Sequence, residues 1–224
     1  MEVRLLRHTP EPELLVASAA KLCYSKVGIE DITKNLSRKK QNEFIKKLLK
    51  MGHLSPFEHI SFTFGIEGIS RACTHQLVRH RIASFSQQSQ RYVSFEKEEY
   101  IVPRTIKKGL KTKFERLAED SLKFYQELIE EGVPQEDARY ILPQAFCTKI
   151  VVTMNARELF HFFNLRCCNR AQWEIRQMAE AMLVEAKKIA PNIFMKAGAP
   201  CVQGACPEGE LSCGRPKRRH LTAS

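Results

Sequence analysis

Between Arg79 and Tyr92 the chain reads RHRIASFSQQSQRY. Arg79, His80 and Arg81 stand together, Ser84, Ser86, Gln87, Gln88, Ser89 and Gln90 follow, and Arg91 closes the polar run. A guanidinium is a planar fork of N–H donors that matches phosphate, and hydroxyls and amides add neutral hydrogen bonds. A solvated basic helix end running into a polar loop has the same composition. A merely soluble loop draws more often on Lys and Glu, however, and both are missing from Ser86 to Arg91, as are apolar residues. That choice favours an anion site. The chain contains neither GxGxxG nor GxxxxGK[ST], so arginine forks, not a Gly-rich loop, would have to cradle any phosphate.

A second segment, Asn155 to Arg176, reads NARELFHFFNLRCCNRAQWEIR. Asn155 is suited to cap a helix. Leu159, Phe162 and Phe163 give that helix an apolar face, and Arg166, seven residues beyond Leu159, falls on it. A guanidinium on a buried stripe is costly unless it is paired or faces a ligand. A buried carboxylate and a bound ligand would each satisfy it. Arg157, His161 and Asn164 fall on a different, polar side, where a histidine alone indicates only a surface. A third segment, GHLSPFEH, sets His53 and Ser55 between a helix stop and a strand, a frequent place for site residues.

The elements that must position these side chains are legible in outline. MEVRLL alternates as an opening strand. Glu11–Tyr24 is predicted helical with Leu15, Ala19 and Leu22 on one face, and Ser37–Met51 forms a second helix closed by Gly52. His59–Ile66 has period 2, with Ile60, Phe62 and Phe64 on one side. Ser70–His80 is predicted helical, and Ser84 to Phe95 extended. Lys111–Glu131 is an amphipathic helix carrying Phe114, Leu117, Leu122, Tyr125 and Leu128, with Gly132 as its stop. Ala145–Thr153 is strand-like, and Asn155–Cys168 and Ala171–Ala190 are helices with a break near Asn169. Strands and helices alternate without a regular βαβ repeat, so the predicted class is α+β.

The 224 residues suffice for one domain with a sizeable core, and 27% charged residues alongside 13 Phe exclude global disorder. A net charge of +11 points to anionic partners. No apolar run approaches the ~20 residues that span a bilayer, and MEVRLLRHTPEP has no stretch for a signal peptide. A cytoplasmic protein without a membrane partner is expected. Of the eight cysteines, Cys23, Cys73 and Cys147 read as small buried hydrophobes. Cys201, Cys206 and Cys213, with Cys167 or Cys168, allow a four-thiolate zinc site, reduced thiols or a labile disulfide.

Taken in order, GHLSPFEHISFTF, RHR followed by seven residues and Ser89, and NAREL…NLR…RAQWEIR resemble the flavin-dependent thymidylate synthase family from about His53 to Met182. The resemblance implies an antiparallel β-sheet with helices packed around it. It implies a single catalytic domain over 1–200, followed by a Cys-bearing basic tail over 201–224. It implies a methyltransferase of dTMP biosynthesis that moves the methylene of 5,10-methylenetetrahydrofolate onto dUMP and reduces it with FADH2, regenerated by NADPH. A homotetramer with sites shared between subunits goes with it.

Residue by residue, the resemblance gives His53, Ser55, Arg79, His80, Arg81, Gln87, Asn155, Arg157 and His161 to FAD. Gln76, Leu77, Val78, Arg79, Gln87 and Gln88 would bind dUMP, together with Ser89, Gln90, Arg91, Arg139 and Arg166. Arg166 would also be catalytic, stabilising the anionic form of the uracil imide. Ser89 is assigned to binding, because its motif contains no evident base to activate a nucleophile. Ser86 and Gln87 stand where some members carry Asn and Glu, and His161 and Arg170 also depart from other members. A basic RNA-binding protein would share the charge and the RPKRRH tail, but Phe85 alone interrupts Arg79–Arg91 as an aromatic, too few for base stacking. A flavoprotein of the same fold acting on another pyrimidine nucleotide is the nearer alternative.

Overall fold

The computed structural model describes residues 1–94 and 99–217. The opening alternation forms β1 (Glu2–His8), and Pro12 starts α1 (Pro12–Leu22). The buried face of α1 is Val16, Ala17 and Ala20, while Leu15 and Leu22 point outward. The face is therefore rotated from the expected Leu15–Ala19–Leu22 stripe. Small side chains are weak signals in a hydrophobicity pattern, yet they let α1 pack closely on its neighbours, α2 (Ile29–Lys34) and α3 (Arg38–Met51). The short α2 was not foreseen; it buries Ile32 alone.

Helix α3 follows Ser37 as expected and buries Ile45 and Leu48. It ends at Gly52 in the left-handed region (φ 68), whose N–H reaches the Leu48 and Leu49 carbonyls, while the His53 N–H donates to Leu48 at 3.0 Å. This is the glycine-terminated helix end in which the following residue closes the last turn. His53 is thereby fixed by backbone. A 3-10 turn, Ser55–His59, then buries Pro56 and Phe57.

Strand β2 (Ser61–Ser70) keeps the predicted alternation, with Phe62, Phe64 and Ile66 buried. Ser70 caps α4 (Arg71–Leu77) by accepting from the Cys73 N–H at 3.1 Å. The helix stops at Leu77, short of the expected His80. The extended run that follows is strand only over β3 (Ala83–Gln87). Beyond it Ser89 Oγ accepts the Arg91 N–H, a local turn that takes the chain out of the ladder. Phe95 lies outside the described residues, as do Arg218, Arg219 and His220 of the basic tail.

Helix α5 (Lys108–Glu130) ends before Gly132 at φ 83. Its buried side is Ala118, Leu122 and Tyr125, packed with Ala138 and Phe146, and Leu117 is instead 58% exposed. The short α6 (Gln135–Ala138) leads to β4 (Cys147–Asn155), α7 (Ala156–Arg166), α8 (Trp173–Ile189) and α9 (Pro191–Phe194). The four strands form one antiparallel sheet in the order β1-β2-β4-β3. Thr63 and Thr153 meet across β2 and β4 at 2.9 Å, and the Ala156 N–H donates to Ile60 at 2.9 Å where α7 begins.

The chain divides into two compact units: Met1–Glu2, Gly65–Arg79 and Phe85–Val151 in one, and Val3–Phe64, His80–Ser84 and Val152–Ser224 in the other. The second has an aromatic core in which Phe194 lies 5.4 Å from Phe62, 5.4 Å from Phe160 and 6.0 Å from Phe163. Among the described residues no helix is long and apolar enough to cross a membrane.

Cysteine placement differs from expectation at Cys23, which is exposed, whereas Cys73 is buried and Cys147 partly so. Cys23 sits just past the last turn of α1, whose end faces outward. Among the described residues no disulfide is formed; in the tail the Cys201 sulfur accepts from the Lys217 N–H and the Cys213 sulfur from the Arg215 N–H. A Cβ on Gly52 would meet nothing within 4 Å. Gly52→Ala should therefore cost about 1–2 kcal/mol from backbone strain alone, measurable by chemical denaturation.

Candidate active site

Helix α7 starts where the Asn155 side chain accepts the Glu158 N–H at 2.8 Å, which satisfies one of the free N–H groups of the first turn. Glu158, Phe162 and Arg166 then recur every four residues and share one face of the helix. His80 lies along that face. Its Nδ1 is 3.1 Å from Glu158 Oε1, its ring meets Phe162 edge-on at 4.9 Å, and its Nε2 is 3.0 Å from Arg166 Nε. His80 is 4% exposed and Glu158 7%.

The direction of these bonds follows from chemistry. Arginine has donors and no acceptor, so Arg166 Nε–H donates and His80 Nε2 must carry a lone pair. The single imidazole proton is then on Nδ1 and is donated to Glu158. Burial, with Arg166 and His161 close by, pushes the His80 pKa down to about 4. Burial also raises Glu158 from the ordinary carboxylate value. A chain from carboxylate through neutral imidazole to guanidinium results. The Arg166 foreseen on an apolar stripe thus gains a buried histidine partner.

Among the described residues, the group of potential metal ligands found is His80, Glu158 and His161, with donor atoms within 4.8 Å of one another. Both His80 nitrogens already have protein partners, so the arrangement is a hydrogen-bonded chain rather than an open cation cradle. His161 is exposed, its ring 5.6 Å from that of His80. Arg157 is exposed and pairs with Glu58, and Arg170 pairs with Glu208. Arg81 is exposed, His53 half-buried and Ser55 exposed.

The first unit holds the other polar candidates. Gln87 Nε2 donates to Thr74 Oγ1 at 3.0 Å and to Thr148 Oγ1 at 3.3 Å. Thr74 spends its own hydroxyl proton on the Arg71 carbonyl, so it must accept from position 87. An amide meets that need and a carboxylate does not. Arg91 pairs with the Glu136 carboxylate, and Arg139 Nε donates to the Glu136 carbonyl at 2.9 Å. The two arginines are thus brought onto one residue. Gln76, Gln88, Ser89 and Gln90 are half-buried, and Val78 and Arg79 exposed. Leu77 is fully buried, backbone and side chain alike.

Two residues escaped the sequence reading. Arg71, half-buried, has its pKa lowered by burial and by Arg139 nearby; two such neighbouring cations suit an anion. An arginine opening a helix carries no distinguishing signal. Glu158 did carry one, since it shares the four-residue spacing with Arg166.

The family model for thymidylate synthase complementing protein matches residues 4–192. The chain is 53% identical to a flavin-dependent thymidylate synthase of Clostridium tetani and 54% identical to one of Geobacter sulfurreducens. Each alignment covers 96% of this chain and 94% of the relative. The fold is similar to that of the UMP/dUMP methylase PolB from Streptomyces cacaoi, solved with 5-Br dUMP. The TM-score is 0.77 at 27% identity, over 87% of this chain and 93% of that one.

Two outcomes follow from the geometry. Gln87→Glu should cost about 1 kcal/mol in unfolding free energy by placing an acceptor against Thr74, while Gln87→Met loses the bonds without that conflict. For His80, with its folded pKa near 4 and an ordinary value of 6.5, the unfolded chain takes up a proton that the folded one refuses. Its contribution is therefore complete above pH 6.5 and lost as pH falls towards 4, by at most about 1.4 kcal/mol per pH unit. Glu158 works in the opposite sense. The His80 part is read as the stability difference between the protein and His80→Gln, which should shrink across that window.

Proposed function

The chain belongs to the thymidylate synthase complementing protein family, which includes the flavin-dependent thymidylate synthases, and from that membership we propose that it makes dTMP. The methylene of 5,10-methylenetetrahydrofolate passes to dUMP and is reduced there, leaving tetrahydrofolate. FAD, re-reduced by NADPH, supplies the hydride when bound. The observation that carries the reading is Arg166, a guanidinium anchored at Nε by a neutral buried imidazole. Held so, it presents positive charge to the uracil ring and stabilises the anionic imide that activates the base.

Ser89, Arg91 and Arg139 receive the nucleotide phosphate, with Gln76, Gln87, Gln88 and Gln90 adding neutral bonds, Val78 lying against it and the buried Leu77 anchoring that segment. The flavin falls to Arg79 and Arg81, with His53, Ser55, Asn155, Arg157 and His161. Both Arg79 and Arg81 are exposed, and among the described residues neither guanidinium has an acidic partner, which fits a diphosphate. His80 serves this site by holding Arg166, its ring nitrogens being already engaged.

A cysteine nucleophile is not needed, and the residue beside Arg166 supports this. Cys167 is buried, and burial together with Glu180 pushes its thiol up to about 12, far from the thiolate an attack requires. Leu110, Leu117 and Phe124 form an exposed apolar stripe at seven-residue spacing on α5. That stripe suits a helix of a second copy, which supports self-association; the homotetramer with shared sites is proposed from the family membership. A cytoplasmic location goes with that reading, since dUMP, folate and NADPH are cytoplasmic metabolites.

A second reading draws on PolB, a UMP/dUMP methylase. Chromatographic assay with FAD, NADPH and methylenetetrahydrofolate should give dTMP from dUMP, and Arg166→Ala should slow it by about 10²–10³-fold. A methylated product from UMP with none from dUMP would favour the second reading. No product from either would overturn both.

A further inference from the structure

We propose that Glu158 is a positioning residue for Arg166, acting through His80. The inference rests on the reading above in which Arg166 serves the pyrimidine. Its warrant is the register of α7. Glu158 and Arg166 are eight residues apart, about 12 Å along a helix axis, too far for a direct short contact through ordinary helix spacing. His80 spans that interval, with Phe162 packed against its ring midway.

Imidazole has two nitrogens and, when neutral, one proton. Which nitrogen keeps it is set by the partner of the other. Glu158 offers a buried acceptor to Nδ1, so the proton stays there and Nε2 remains an acceptor for Arg166. Without that carboxylate the ring is free to carry its proton on Nε2, where it would face the Arg166 Nε–H donor to donor. Arg166 would then lose its Nε anchor, and with it one of the contacts that set the plane of its guanidinium fork. Asn155 fixes the relay from the other end by holding the Glu158 backbone at the cap. His161, whose ring lies 5.6 Å away, is the further titratable group facing His80.

Two variants separate orientation from bulk. Glu158→Gln keeps an acceptor oxygen for Nδ1–H, and Glu158→Met keeps volume without one. Nitrogen-15 NMR of the protein without ligands at pH 7 should show His80 in the Nδ1–H tautomer. The Gln variant should retain that tautomer and the Met variant should lose it. In the dTMP assay the Gln variant should keep kcat within about threefold, and the Met variant should lose about a hundredfold, with a smaller change in KM for dUMP and unchanged FAD loading.

An Nε2–H tautomer in the unmodified protein, or a Met variant with full kcat, would overturn the proposal. If the Met variant does not fold, the tautomer of the unmodified protein and the rate of the Gln variant still decide it. If the unmodified protein makes no dTMP, the functional reading fails, and the tautomers alone decide whether Glu158 orients His80.

Discussion

A buried imidazole that accepts from an arginine cannot be protonated, and much of the second unit is arranged around that constraint. His80 Nε2 faces a guanidinium that can only donate, so its one proton must go to Nδ1, and a buried carboxylate has to be there to take the bond. Glu158 fills that role because Asn155 caps α7 one turn earlier, and Asn155 ends β4, whose neighbour β2 is tied to the helix start by the Ile60–Ala156 bond. Sheet register, helix cap and side-chain relay are therefore one mechanical sequence. Its end point is the orientation of Arg166.

The first unit solves a different problem, the concentration of positive charge. Glu136 offers its carboxylate to Arg91 and its carbonyl to Arg139, while Arg71 is kept close to Arg139 with part of its hydration removed. Repulsion among these groups is a standing cost that a dianionic phosphate would relieve. The neutral network of Gln87, Thr74 and Thr148 in the same unit adds rigidity without adding charge. Arg91 and Glu136 are both substantially exposed, so their pair is weak and can be exchanged for a phosphate at little expense.

What could be read from the sequence follows the strength of each local signal. The alternation at Phe62 and Phe64, the cap at Asn155 and the stop at Gly52 all appear in the fold, because each depends on a few adjacent residues. The apolar face of α1 was missed because alanines carry it, and Leu117 was placed inward because an exposed apolar stripe on α5 has the same periodicity as a buried one. Helices α6 and α9, like α2, are too short for periodicity to register. At the site, Arg166 was conspicuous as a charge on an apolar stripe and Glu158 was not, although it lies on the same stripe. Its partner His80 is distant in sequence, and only the fold brings the two together.

The most direct test of the account is anaerobic visible spectroscopy of the protein reconstituted with FAD. NADPH should bleach the flavin, and dUMP with methylenetetrahydrofolate should then restore the oxidised spectrum while dTMP forms in equal amount. A protein that takes up no flavin, or a bleached flavin that stays reduced when both substrates are added, would contradict it.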